Sequence, residues 1–543
     1  MRQKQLAKPG RIFRRWSGLA VVTGASCIMG WYVYRTLIVP AGPLGWDESG
    51  HALWGLLLAH DIQQGDWLSL FYDWYRQIFW PPLHSSFLAA IFSIAGPSAL
   101  AARVLSVLMI VALGPVLYLC GRRLGGRRPD VAGLVAAGLA LTAPVMAVWA
   151  SRCMLEMAAI LALSATWLAK TNYAAISALA MLAAQVTDGG FTPKRLVSAR
   201  NFYMALPLAV GLSIWFLYPA KLAATWNTLV NVPWGSEDQF GSQGLLFYPR
   251  AFVNQSGSPW LFALFLILLI AAFRWWRDER VRLLIAVVLI QLLLGQLHHT
   301  KVQRHILPIF PALYLLAGRF AAGFLNGEGL DRNRLRLWAP RVAIVLLLAH
   351  SLTLLARVAP FDHRRFEGEV AHVIASAIRA GHPGVVIGTW EAVHPPCLDW
   401  LLATEVKVLS PEQGGFVAQR AEARKLLRAV RTGRLPDWIR QRIEPVLTRA
   451  EQPRRTRTFY LLSPDKDHLK SIVGNFERAA LERVVLVTRT DERTVMPLGY
   501  FEGMLQKMSL ESLTTVRFVD PPVRIDVFRR RWPGNSDGSA GRN

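Results

Sequence analysis

Acidic residues are scarce in this chain. Asp and Glu number 36 against 61 Lys and Arg among 543 residues, a formal net charge of +25. Charge of either sign is itself thin, at 18%, whereas hydrophobic residues reach 53%. That balance excludes intrinsic disorder for most of the chain, since disorder needs the reverse. Cysteine is rarer still. Cys27, Cys120, Cys153 and Cys397 stand far apart, which excludes a disulfide scaffold and a closely spaced four-cysteine zinc motif. No internal repeat is evident, so nothing suggests paired halves. In a soluble protein the cationic excess would point to nucleic acid. Here it sits in apolar sequence with a mean hydropathy of +0.29, where basic loops set membrane orientation. No nucleic-acid partner is expected.

Long apolar runs dominate the first two thirds of the chain. They cover approximately 17–39, 99–120, 131–150, 154–170, 202–220, 260–273, 281–297, 305–325 and 341–358, with shorter ones at 83–96 and 173–187. A bilayer core takes roughly 20 apolar residues per helical span, which gives about ten or eleven spans. In lipid every backbone amide must be satisfied internally, so the runs are read as helices. Residues 1–16 are basic and are assigned to the cytoplasm, with 17–39 an uncleaved first span. FRWWRDERVR (273–282) and LDRNRLRLWAPR (330–341) fit as further cytoplasmic loops. Residues 41–82, 221–258 and 298–305 then lie outside. The 83–96 run is below spanning length and is expected to lie along the interface, which keeps GRRLGGRR (121–128) cytoplasmic and SRCMLE (151–156) outside.

Past residue 360 apolar runs shorten and charge rises. Strand-like pieces at 384–390, 457–463, 483–489 and 523–528 alternate with helical pieces such as 366–380 and 414–431. The alternation predicts a soluble α/β domain over 360–530. An odd number of spans over 17–359 puts it on the extracytoplasmic side. Residues 531–543 are expected to be a disordered tail.

The first outer loop is rich in aromatics, which suits juxtamembrane helices. It also carries adjacent carboxylates, Asp47 and Glu48, directly after the first span. Such charges beside a membrane are unfavourable unless solvated or used. Asp47 also fits a helix N-cap, since it precedes the apolar ALWGLLLAH. Trp46-Asp47-Glu48, the following ALWGLLLAHDIQQGDW and Trp80-Pro81-Pro82-Leu83 resemble the start of membrane glycosyltransferases of the GT-C fold. The nearest group is the family-39-like and aminoarabinose-transferase-like enzymes, which include protein mannosyltransferases. GPSALAARVLSVL (96–108), LTAPVMAVWASRCMLEM (141–157) and HHTKVQRHILPIFPALYLLAG (298–318) follow in the same order. Trp80 stands where many relatives have Lys or another polar group, so their contacts at that spot do not carry over.

The resemblance implies a mainly α polytopic enzyme that takes sugar from a polyprenyl-phosphate donor at the outer face of a bacterial inner membrane. The acceptor would be a hydroxyl on a glycolipid, a glycan or a protein. Asp47 would be the general base, with Glu48 tuning it or holding the loop. Lys301, Arg304 and Arg152 would meet the donor phosphate, because cations stabilise the developing charge. Glu156, where relatives often have Asp, joins His51, Trp46, Pro82 and His299 as expected cavity residues. Each cation also reads as an interfacial anchor. His51 lies on the face of Asp47, four residues on. With Glu48, His84, His298 and His299 it raises a divalent metal as a candidate, but the spacing matches no tight motif. No cofactor is therefore assigned. A membrane scaffold and a lipid-linked-sugar transporter are the competing functions.

Overall fold

The structure is a computed structural model. It describes residues 9–75, 82–154, 241–297, 302–325, 334–360, 366–379, 384–388, 395–408, 458–462, 483–489, 510–518 and 523–530, with isolated positions between them. Helix α1 (Pro9–Val33) runs into a π-helical turn, Tyr34–Ile38. Then follow α2 (Trp46–Gln64), α3 (Trp67–Tyr75), α4 (Leu83–Ala95), α5 (Ala99–Leu124), α6 (Pro129–Thr142) and α7 (Pro144–Ala150). Beyond them come α8 (Phe247–Ser256), α9 (Pro259–Ala272), α10 (Glu279–Leu297), α11 (Ile309–Leu325) and α12 (Arg334–Leu355).

Four described stretches are long and apolar enough to cross a membrane: Ser17–Ile38, Ala99–Leu124, Glu279–Leu297 and Gln303–Leu325. Two bent pairs raise the number to six if each is one span. The chain is a multi-pass membrane protein. The runs at 154–170, 173–187 and 202–220 lie outside the described residues.

Both bends have local causes. The apolar run at 131–150 is not one helix: α6 and α7 meet at 60°. Pro144 opens α7 and leaves Ala143 extended at φ −70°, ψ 125°, because a residue before proline is driven out of the helical region. Between α8 and the helix that follows, the chain turns by 113°. Gly257 takes φ 76° there, and the Ser258 hydroxyl caps the amide of Trp260 at 3.2 Å, with Pro259 at the first helical position.

Small residues let the central helices approach closely. A Cβ at Gly133 would come within 2.5 Å of the Tyr118 carbonyl oxygen, and one at Gly318 within 2.3 Å of that of Ala132. Thus α5, α6 and α11 pack almost backbone to backbone. The 83–96 run forms α4, whose 13 residues are about 20 Å long, below the roughly 30 Å of a bilayer core. Its face bearing His84, Leu88 and Phe92 is buried.

After residue 360 come α13 (Phe366–Arg379), α14 (Pro395–Thr404) and five strands: β1 (Gly384–Gly388), β2 (Thr458–Leu462), β3 (Arg483–Arg489), β4 (Leu510–Phe518) and β5 (Val523–Arg530). They form one sheet in the order β2-β1-β3-β5-β4. β2, β1 and β3 are mutually parallel, and β5 runs antiparallel to both its neighbours, β3 and β4. The four expected strands are all present, and β4 is additional. This layer does not keep its core to itself. Trp400 of α14 lies against Phe92 of α4 at 5.7 Å, and Val485, Val487 and Ile525 join Leu53, Leu57 and Leu88 in one buried cluster. The helical stretch expected at 414–431 and the tail 531–543 lie outside the described residues, Arg431 excepted.

Candidate functional site

The start of α2 treats its two carboxylates differently. Gly45 is the N-cap, extended at φ −70°, ψ 175°. Glu48, three residues into the helix, reaches back so that its Oε2 accepts the Gly45 amide at 2.9 Å. Capping therefore falls to Glu48 and not to Asp47, because an acidic side chain at the third position can satisfy the orphan amide of the cap.

Glu48 is held from further sides. Arg103 of α5 donates Nε to Oε1 at 3.0 Å and Nη2 to Oε2 at 3.2 Å, and the Cys153 amide donates to Oε1 at 2.8 Å. The same guanidinium donates to the carbonyls of Gly42 and Pro43 at 2.8 and 3.0 Å. The two side chains are 2% and 4% exposed, Arg103 and Glu48 respectively. Burial pushes the Glu48 carboxyl up. The Arg103 charge and hydrogen bond, helped by the Gly45 and Cys153 amides, outweigh it and leave the group below its ordinary value. Burial, and next the Glu48 charge, drive the Cys153 thiol well above its ordinary range. One buried pair thus ties the 42–45 loop, α2, α5 and the 151–154 loop together.

Asp47 is the contrasting neighbour. Its side chain is 34% exposed and pairs with Arg304, which is 27% exposed. The two are 257 residues apart in sequence. Arg304 sits on a 3-10 turn, Gln303–Ile306, that leads into α11. That turn is anchored beside Asp47: Gln255 of α8 donates Nε2 to Gln303 Oε1 at 3.2 Å and accepts the Trp149 indole N–H at 3.1 Å. Arg152 in turn lies over the Trp149 ring at 5.0 Å. A continuous chain of contacts therefore runs from Arg152 through Trp149, Gln255 and Gln303 to the turn that carries Arg304.

Of the other expected residues, His51 is buried in α2 with its ring edge-on to that of His84, 5.1 Å away. Pro82 is buried at the start of α4, where its carbonyl accepts the Ser86 amide and hydroxyl, each at 2.8 Å. Trp46 opens α2, but its side chain lies outside what is described. Glu156, Lys301, His298 and His299 lie outside the described residues. No group of three or more His, Cys, Asp or Glu side chains suited to a metal occurs among the described residues, and Glu48 is committed to Arg103. Asp66 caps α3 by accepting the Ser69 amide and hydroxyl. Asp73 of that helix is buried, whereas Trp67, Leu68 and Phe71 are exposed as an interfacial helix requires.

Sequence reasoning missed Arg103 and the Gln255–Gln303 link. For Arg103 a signal was present: a lone arginine inside an otherwise apolar span-length run is rarely idle.

The fold is similar to that of a solved structure over most of the chain. The crystal structure of ArnT from Cupriavidus metallidurans in the apo state matches with a TM-score of 0.53 and 16% identity, covering 95% of this chain and 98% of that one. The structure of ArnT from the same organism bound to undecaprenyl phosphate gives a TM-score of 0.45 and 14% identity, with 96% and 98% covered. No protein-family model and no curated protein matches the sequence. The chain has the GT-C-like polytopic helical fold that its motifs resemble, with a small sheet region towards its C-terminus.

Proposed function

We propose that this protein is an integral-membrane glycosyltransferase that moves a sugar from a polyprenyl-phosphate donor to an acceptor hydroxyl. One observation carries the reading: two adjacent carboxylates at the membrane edge have been given separate tasks. Glu48 is spent on architecture, and Asp47 remains accessible beside an arginine. The GT-C-like fold and the ordered motifs support it.

In this mechanism the donor's phosphate draws Arg304 from Asp47. Arg152 and Lys301 are the further phosphate contacts. Asp47 then accepts the proton of the acceptor hydroxyl as that oxygen attacks the anomeric carbon. The bond from the anomeric carbon to the phosphate oxygen breaks, and its electron pair stays on the phosphate, where the guanidinium stabilises the added charge. Glu156, His51, Trp46, Pro82 and His299 would line the cavity. Acceptors of this chemistry are a glycolipid, a glycan or a protein side chain. Positive-inside orientation places the site and the α/β region at 360–530 outside a bacterial inner membrane, after a transmembrane region over 17–359.

The test is Asp47→Asn in purified, reconstituted protein. Sugar transfer should fall by orders of magnitude while insertion and thermal stability persist. Unchanged transfer overturns the base assignment. Envelope glycans and lipid-linked sugars compared with and without the protein should show the donor accumulating on deletion; translocation of an intact donor without cleavage would instead favour a transporter.

A further inference from the structure

At the other end of α5 the charge balance differs. The segments 122–130 and 273–282 hold eight arginines and three acids, and they meet where Arg280 donates to the Arg123 carbonyl. Asp130 accepts from Tyr118 at 2.9 Å and from Arg122 at 3.2 Å, and Asp278 accepts the Arg280 amide at 3.0 Å. Glu279 is exposed in the first turn of α10. Arg123, Arg127, Arg128, Arg274, Arg277 and Arg280 are all exposed.

Two neighbouring features decide what such a surface would bind. An aromatic cluster lies against it: Phe273 and Trp276 stack at 5.4 Å, and Trp275 is held between Arg319 at 4.7 Å and Phe320 at 5.8 Å. Aromatic belts of this kind mark head-group depth. The basic surface also continues into an apolar one. Helix α9 exposes Trp260, Leu266, Ile267 and Ile270, and Arg274 follows four residues after Ile270. A nucleic acid could use the arginines but not the apolar strip.

We propose that Arg123, Arg127, Arg274, Arg277 and Arg280 bind the phosphate head group of an anionic membrane phospholipid whose acyl chains lie along α9. Basic pockets between spans on the positively charged face hold such head groups by charge. The strip supplies the second half of the recognition, so a lipid and not free phosphate is the ligand. The proposal is independent of the glycosyltransferase reading.

The test is native mass spectrometry of the full chain in detergent, titrated with phosphatidylglycerol or phosphatidylcholine. The wild type should retain phosphatidylglycerol selectively. Each arginine near the surface contributes about a factor of five, so Arg274→Gln/Arg277→Gln/Arg280→Gln should weaken retention roughly a hundredfold and Arg277→Gln alone roughly fivefold. A control triple elsewhere, Arg431→Gln/Arg517→Gln/Arg529→Gln, should leave retention unchanged. Equal retention of both lipids, equal loss in both triples, or displacement by an equal concentration of inorganic phosphate would overturn the proposal. The single substitution decides the matter if the triple fails to elute as folded protein.

Discussion

Helix α5 carries arginine at both ends, and the two ends live by different rules. Arg103 is sunk among Glu48 and the Gly42 and Pro43 carbonyls, its partners drawn from the 42–43 loop and the first turn of α2. Arg122 and Arg123 lie near the surface, with one carboxylate, Asp130, serving Arg122. In dry surroundings a guanidinium must be matched group for group, and it becomes a joint. Near the surface it is screened, and a single pair contributes little. The same division separates Glu48 from Asp47 one residue apart.

The largest expected effect breaks the second contrast. Asp47→Asn should lower transfer by about 10²–10⁴-fold, the range of general-base catalysis, with the melting temperature unchanged; a quantitative transfer assay beside a melt in detergent checks it. Next, Arg103→Ala should destabilise the fold by about 3–5 kcal/mol, because it strands a buried carboxylate. Arg103→Met with Glu48→Leu should recover only part of that loss, because the Gly45 and Cys153 amides and the Gly42 and Pro43 carbonyls lose these partners as well; a double-mutant cycle on thermal unfolding decides.

A smaller effect appears with pH. The Glu48 carboxyl is held below its ordinary value of 4.5 in the folded state. Its stabilisation is therefore complete above that value and is lost as pH falls through the lower folded one. Melting curves should fall more steeply below about pH 4.5 for the wild type than for Glu48→Gln. The smallest effect belongs to the exposed end: Arg122→Gln should change stability by no more than about 1 kcal/mol, measured in the same melts.

Much of this architecture can be read in the sequence. Span-length apolar runs gave α1, α5, α10 and α11 because lipid admits few alternatives to a helix. Asp47 and Arg304 are legible as charges at span ends with separate expected roles, base and phosphate contact; their ion pair across 257 residues is visible only in the structure. The hidden parts are those set by distant partners. That Glu48 caps its own helix while gripping Arg103 depends on a contact across 55 residues, which no local pattern encodes. The kink at Ala143 does not register in hydropathy, which reads 131–150 as one apolar run although Pro144 interrupts it. Strand β4 is hard to see in the sequence because LESLTTVRF is polar, with Ser512, Thr515 and Arg517 exposed and an irregularity between Ser512 and Thr514; the other edge strand, β2, reads clearly because TFYLL is apolar.

The core shared between Trp400, the sheet and helices α2 and α4 has a consequence for biosynthesis. The helix that bears Asp47 emerges early from the ribosome and packs on α4, but the cluster those two helices build is completed only by residues translated some 350 positions later. Until then Leu53, Leu88 and Phe92 lack the cover of Trp400 and the sheet, so nascent chains should be cleaved by added protease around α2–α4 and become more resistant once β5 is synthesised. Competence at the membrane would thus be withheld from every incomplete copy.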